Sequence, residues 1–184
     1  MNLSHRHASA SFVLALLSAL SACRSADPGG GAAAPAESPA RVVAARPWEH
    51  DSSDVPVDPR IHFGDLDNGL RWAWARNGEP QKRCYLRLHV DVGSLAEEPS
   101  QLGMAHFLEH MAFNGSEHFA PGTLIEWFQA HGMSFGADTN AHTSFSETVY
   151  KLDLPNSDEK TLREGLQVMR DFADGIRFQQ DEID

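Results

Sequence analysis

The chain has 184 residues and a formal net charge of −11. That length supports one domain with a real core, and the acidic balance argues against nucleic acid as a partner, because phosphate binding needs a basic face. Two cysteines, Cys23 and Cys84, are too few for the cysteine-rich ligand set usual in a closed structural zinc site.

The first segment, "MNLSHRHASASFVLALLSALSAC", carries Arg6 near its start and an apolar run over residues 12–20. The run is too short to span a bilayer and fits the h-region of a signal peptide. Its end, Leu20-Ser21-Ala22-Cys23, resembles a bacterial lipobox. That resemblance implies cleavage before Cys23 and acylation of its thiol; a plain signal peptide with an incidental cysteine is the other reading. If Cys23 carries lipid, Cys84 has no intrachain partner. Its place in the alternating run "RCYLRLHVDVG" predicts a buried, inert thiol. Residues 24–46, "RSADPGGGAAAPAESPARVVAAR", hold too few bulky side chains to offset ordering entropy and read as a flexible tether. The folded part is expected to begin between Trp48 and Ile61.

Asn68-Gly69 separates two short runs and predicts a hairpin, with Leu70, Trp72 and Trp74 alternating against Arg71, Ala73 and Ala75. Strand period recurs in Leu86, Leu88, Val90 and Val92. Residues 101–113 turn helical. Thr123 with Glu126 forms a capping-box pattern ahead of a second helix, and Gly132 is its expected stop. Thr148, Tyr150, Leu152 and Leu154 predict one face of a strand ended by Pro155. A last helix is predicted over residues 157–175, with Leu162, Leu166, Met169 and Phe172/Ala173 at helical spacing. Strands and helices are mixed, so the class is α+β.

The chemistry lies in "GMAHFLEHMAFNG". On a helix, His106, Glu109 and His110 fall within an arc of about 100°. Met104, Phe107, Leu108 and Met111 form an apolar stripe on the other side, expected to be the buried one. Two neutral imidazoles at i and i+4 can reach one zinc, and a carboxylate beside them can take a proton from the water that zinc activates. His-x-x-Glu-His is the inverzincin pattern.

The longer stretch "GMAHFLEHMAFNGSEHFAPGTLIEWFQAHGMSFGADTNAHTSFSETVYKLDLP" resembles the first domain of the insulinase/pitrilysin-type zinc metallopeptidases. The likeness runs from about Ile61 to Asp184 and includes "NGLRWAWARN" and "VDVGS". It implies a mixed, largely antiparallel sheet with helices packed on one face. It also implies one Zn2+ per catalytic site held by His106 and His110, with Glu109 as general base. Asn140 and Ala141 match the segment that lies on an exposed strand edge and pairs with the substrate backbone. The expected activity is zinc-dependent endopeptidase action on peptides or unfolded proteins, with a second homologous half or subunit closing over the first. The alternatives are a non-catalytic homologue acting as a binding or assembly module, and an envelope lipoprotein with a structural zinc.

In this family the third zinc ligand is a glutamate roughly 75 or more residues after the second histidine of the inverzincin motif, whereas 74 residues follow His110. The third ligand is therefore expected beyond Asp184. Glu182, Glu117, His118, His142 and Glu147 are the other acidic or imidazole candidates, each more simply read as a surface residue. The expected organisation is a lipoprotein signal peptide over residues 1–22, a tether over 23–47, and an N-terminal peptidase domain over 48–184 that is incomplete at its C-terminus. The expected location is the bacterial cell envelope, lipid-anchored at the periplasmic side of the outer membrane.

Overall fold

A computed structural model describes residues 47–180 and Ile183. The signal peptide, Cys23, nearly all of the tether and Glu182 lie outside the described residues. The chain divides into two compact units, with the boundary between Ala73 and Trp74.

In the first unit a 3-10 turn, Glu49–Ser52, precedes strand β1, Ile61–Asp65. The Asn68-Gly69 hairpin forms as predicted and leads into β2, Arg71–Ala75. Gly69 takes a φ of 87° and its N–H donates to the Leu66 carbonyl, a backbone state that favours glycine. The Trp48 ring is covered by the Arg71 guanidinium at 3.8 Å and meets the edge of Phe63 at 4.9 Å. A Cβ on Gly64 would fall 2.3 Å from the Trp72 ring, so this strand position has room only for glycine.

In the second unit the sheet order is β3-β5-β4, with β3 at Cys84–Val90, β4 at Thr139–Thr143 and β5 at Thr148–Leu154. Both pairings are antiparallel, with Leu88 opposite Tyr150 and Ala141 opposite Tyr150 on the other side. The α+β class and the antiparallel sheet follow the sequence reading. In β5 the inward set is buried as predicted, with Thr148, Tyr150, Leu152 and Leu154 all inside, while Asp153 on the other face is buried too, paired with Arg87 at 2.6 Å. Leu86, Leu88 and Val90 pack on the same core from β3. Three helices supply the rest: α1 at Met104–Asn114, α2 at Thr123–Ala130 and α3 at Glu159–Asp174. They contribute Ala112, Leu124, Phe128, Val168, Met169 and Phe172 to one core. The opposite face, with Arg87, His89, Asn140 and His142, is left to solvent.

Cys84 is half-buried and unpaired, and burial pushes its thiol above the ordinary value. A protonated thiol is a poor nucleophile, in line with the inert role expected of it. Among the described residues no helix is long and apolar enough to cross a membrane.

Three sequence expectations need correction. Thr123 does not cap α2: Gly122, with a φ of 82°, occupies the N-cap position, and the Thr123 hydroxyl donates backwards to the Ala120 carbonyl at 2.8 Å. Glycine reaches the left-handed turn that ends the preceding loop, so the helix starts one residue earlier than a threonine cap requires. In α3 Met169 and Phe172 are buried as expected and Leu162 is partly buried, but the buried face also runs through Thr161, Gly165 and Val168, while Ala173 is exposed. Gly165 permits a close approach to the sheet, since a Cβ there would lie 2.9 Å from Leu154.

The third correction concerns α1. Met104 and Leu108, half of the predicted apolar stripe, are 54% and 40% exposed, whereas Glu109 is only 8% exposed. The helix turns Glu109 and Ala112 toward the sheet instead. A small side chain permits close packing there, and the carboxylate is tolerated because it finds a hydrogen-bond donor. Leu108 faces a groove of about 410 Å³ shared with Val90, Phe172 and Phe178.

Among the described residues one buried side-chain polar atom is unsatisfied. Thr139 Oγ1 is fully buried and has no hydrogen-bond partner among the described residues. Thr139→Val keeps the shape and removes that cost, so it is expected to stabilise the full-length protein by about 1 kcal/mol. The check is a raised urea midpoint with unchanged slope; a lowered midpoint contradicts it.

Candidate active site

Helix α1 is held at its start by one carboxylate. Glu97 accepts from the Gly103 N–H through Oε2 and from the Ala105 N–H through Oε1, both at 2.8 Å. These bonds satisfy two of the donors that a helix start leaves unpaired. They also hold the Glu97 carboxyl below its ordinary value. The segment before it docks on the β4–β5 turn: Ser94 N–H donates to the Ser144 carbonyl at 3.0 Å and Leu95 N–H to the Phe145 carbonyl at 2.9 Å. Gly93 permits this approach, since a Cβ there would lie 2.3 Å from the Ser144 oxygen. One short segment thus ties the helix start to the hairpin beside it.

On α1, the His106 and His110 side chains lie one turn apart at the surface. Their Nε2 atoms are 3.0 Å apart, with ring centroids at 4.6 Å. Two ligands of a tetrahedral zinc with bonds of about 2.0–2.1 Å sit about 3.3 Å from each other. The observed separation is within a few tenths of an ångström of that spacing, and the chemistry of the pair suits zinc. Glu109, between them on the helix, is buried at the helix–sheet boundary, where Oε2 accepts from Thr143 Oγ1 at 2.8 Å. Burial, followed by the Glu109 charge, pushes the Tyr150 hydroxyl up to about 12. Tyr150 therefore stays protonated beside the carboxylate at neutral pH.

Strand β4 is an edge of the described sheet. Thr139 spends its carbonyl on the Gly136 N–H at 2.7 Å, on the side away from β5, and Ser144 N–H bonds the Glu147 carbonyl at 2.8 Å across the turn. Antiparallel alternation then directs the N–H and C=O of Ala141 and Thr143 to the outer edge. The Ala141 N–H is met locally by the side-chain oxygen of Asn140 at 3.0 Å. Asn140 and Ala141 are thus adjacent on an edge strand that packs against α1.

The remaining acidic and imidazole candidates are engaged elsewhere. Glu117 pairs with Arg170 at 3.5 Å and His118 with Asp171 at 2.8 Å. Glu147 lies 2.7 Å from His89 and 3.8 Å from His142 on the solvent face of the sheet. Among the described residues no group of three or more histidine, cysteine, aspartate or glutamate side chains could hold a metal ion. The described donors therefore fit two positions of a zinc site. Glu97 and Thr143 were not singled out from the sequence. Thr143 acts through a contact 34 residues away, and Glu97 reaches six and eight residues ahead, beyond the range of a helix-cap pattern, so short-range spacing carries neither signal.

Residues 73–184 match the family model described as Insulinase (Peptidase family M16). The chain is 36% identical over 146 residues to the probable zinc protease PqqL of Escherichia coli (strain K12), an alignment covering 79% of this chain and 15% of that protein. It is 38% identical over 133 residues to the probable zinc protease PqqL of Haemophilus influenzae, covering 72% of this chain and 14% of that one. The solved first half of the periplasmic protease PqqL from Escherichia coli superposes with a TM-score of 0.68 at 38% identity, covering 71% of this chain and 28% of that structure. The chain thus spans about one seventh of the length of the curated relatives it matches.

Proposed function

Because the chain belongs to the insulinase family, peptidase family M16, we propose that the full-length protein is a zinc-dependent endopeptidase acting on peptides or unfolded proteins, with His106 and His110 as zinc ligands and Glu109 as general base. One observation carries this reading: the two Nε2 atoms converge to 3.0 Å at the surface of a helix whose intervening Glu109 is buried and held. Zinc, when bound, supplies a Lewis acid that makes water nucleophilic at neutral pH. The protein's residues do the rest. His106 and His110 present neutral Nε2 lone pairs. Glu109 takes the proton from the attacking water and returns it to the departing amine. The outer edge of β4 pairs with the substrate backbone, whose carbonyl displaces the Asn140 oxygen from the Ala141 N–H; such pairing demands little of substrate sequence. Catalytic zinc sites take three protein ligands, so the third comes from outside the described residues.

The same reading extends to the protein's setting. It sits in the bacterial periplasm, anchored through lipid on Cys23 to the envelope, and a second homologous half closes over this one. The relative solved as the first half of a periplasmic protease supports the periplasm and the second half, and the lipid anchor rests on the Leu20-Ser21-Ala22-Cys23 motif. Nucleic acid is not a partner.

The metal assignment is tested by equilibrium dialysis of the full-length protein against zinc. His110→Ala is expected to weaken zinc binding at least about tenfold, the scale at which even indirect ligand support is felt. Unchanged affinity in that variant overturns the assignment of His110.

A further inference from the structure

We propose that Thr143 is the positioning residue of Glu109: its hydroxyl proton is committed to Oε2 and fixes which carboxylate oxygen is left to act. The proposal rests on Glu109 being the base, and it goes further by naming what aims it. Thr143 lies on β4 with its side chain toward α1, and its Oγ1 donates to Glu109 Oε2 at 2.8 Å. No other described residue donates to Glu109, so this hydroxyl is the one fixed point of a buried carboxylate. Oε1 is the oxygen left to receive a proton.

A second threonine stands beside that donor. Thr148 Oγ1 lies 3.0 Å from the Val92 carbonyl and 3.4 Å from Thr143 Oγ1. A hydroxyl has one proton, and that of Thr148 goes to the shorter contact, the Val92 carbonyl. Thr143 keeps its own proton on Glu109, because the carboxylate at 2.8 Å is a nearer and stronger acceptor than the Thr148 oxygen at 3.4 Å. Thr143 and Thr148 face each other across the β4–β5 ladder, and Val92 adjoins the Gly93 segment that docks on the same turn. The arrangement is built from three strand ends and has no local sequence signature. A carboxylate held by one charge-assisted bond keeps its orientation without losing its second oxygen.

The test uses the full-length protein. Thr143→Val preserves shape and removes the hydroxyl; Thr143→Ser preserves the hydroxyl. Thr143→Val is expected to lower kcat for an unstructured peptide by about tenfold or more, with KM and zinc content near those of the unaltered protein. Thr143→Ser is expected to restore most of the loss, and Thr143→Val added to Glu109→Gln to cost little further. Unchanged kcat in Thr143→Val, or equal losses in Val and Ser, overturns the proposal. A readout independent of activity is the double-mutant cycle of Thr143→Val with Glu109→Ala on urea unfolding. Coupling of about fivefold or more in the unfolding constant is expected for groups in direct contact, and strict additivity overturns the contact. Should the unaltered protein cleave no peptide while the coupling is present, the peptidase reading fails and the Thr143–Glu109 contact stands.

Discussion

Glu109→Gln in the full-length protein is expected to retain zinc and to lose peptide hydrolysis by about 10²–10⁴-fold in kcat, the range contributed by a general base. The substitution is close to isosteric, and the amide still offers an oxygen to the Thr143 hydroxyl, whose bond to the native carboxylate is 2.8 Å long. Packing of the buried side chain against the sheet is therefore kept. What is lost is the capacity to accept a proton from water, which no amide supplies near neutral pH. The histidine pair is at the surface and does not contact the sheet through Glu109, so metal content is the control. Loss of zinc together with activity would point to a misfolded helix; retained zinc with undiminished kcat would remove Glu109 from its proposed role. The outcome separates this reading from that of a non-catalytic binding module, for which the carboxylate carries no chemical duty.

The residues of the site were legible in the sequence, and their orientation was not. Helical spacing alone brings His106 and His110 together, because i and i+4 side chains meet on any helix. The same wheel put Glu109 beside them and set Met104 and Leu108 inside, yet Glu109 is the buried member. The roll of α1 is decided by partners the wheel does not contain: the Thr143 hydroxyl beneath Glu109 and the small Ala112 against the core. In β5, by contrast, period 2 found the buried face correctly from Thr148 to Leu154, because both neighbours of a central strand constrain it. The capping of α1 by Glu97 also escaped sequence reading. Its carboxylate reaches six and eight residues ahead, outside the short range of a capping box.

Asp171→Asn is expected to be the most damaging single change to stability among those considered, at about 3 kcal/mol. Asp171 is 1% exposed. Its carboxylate accepts from Ser116 Oγ at 2.5 Å, from the His118 N–H at 3.0 Å, from His118 Nδ1 at 2.8 Å and from Gln167 Nε2 at 2.9 Å. Burial by itself would raise its pKa, but these donors outweigh burial and hold the carboxyl below its ordinary value. Asparagine offers one oxygen and turns an NH2 group toward one donor pair, so either Ser116 with the His118 N–H or Gln167 with His118 Nδ1 loses its acceptor. The loop after α1 is pinned to the end of α3 through this carboxylate and through the Glu117 N–H to Gly175 carbonyl bond at 2.8 Å. Its release therefore loosens the C-terminal end of the helix that carries the histidines. The pH dependence has a definite sign. A carboxyl lowered in the folded state contributes stability that is complete above its unfolded value of about 3.9 and is lost as pH falls through the lower folded value. Urea unfolding followed from pH 7 down to pH 3 should therefore show a large gap between the native protein and Asp171→Asn at neutral pH, narrowing on the acid side. A constant gap would mean that the donors stabilise the side chain without regard to its charge, and no gap would mean that the network does not hold the loop.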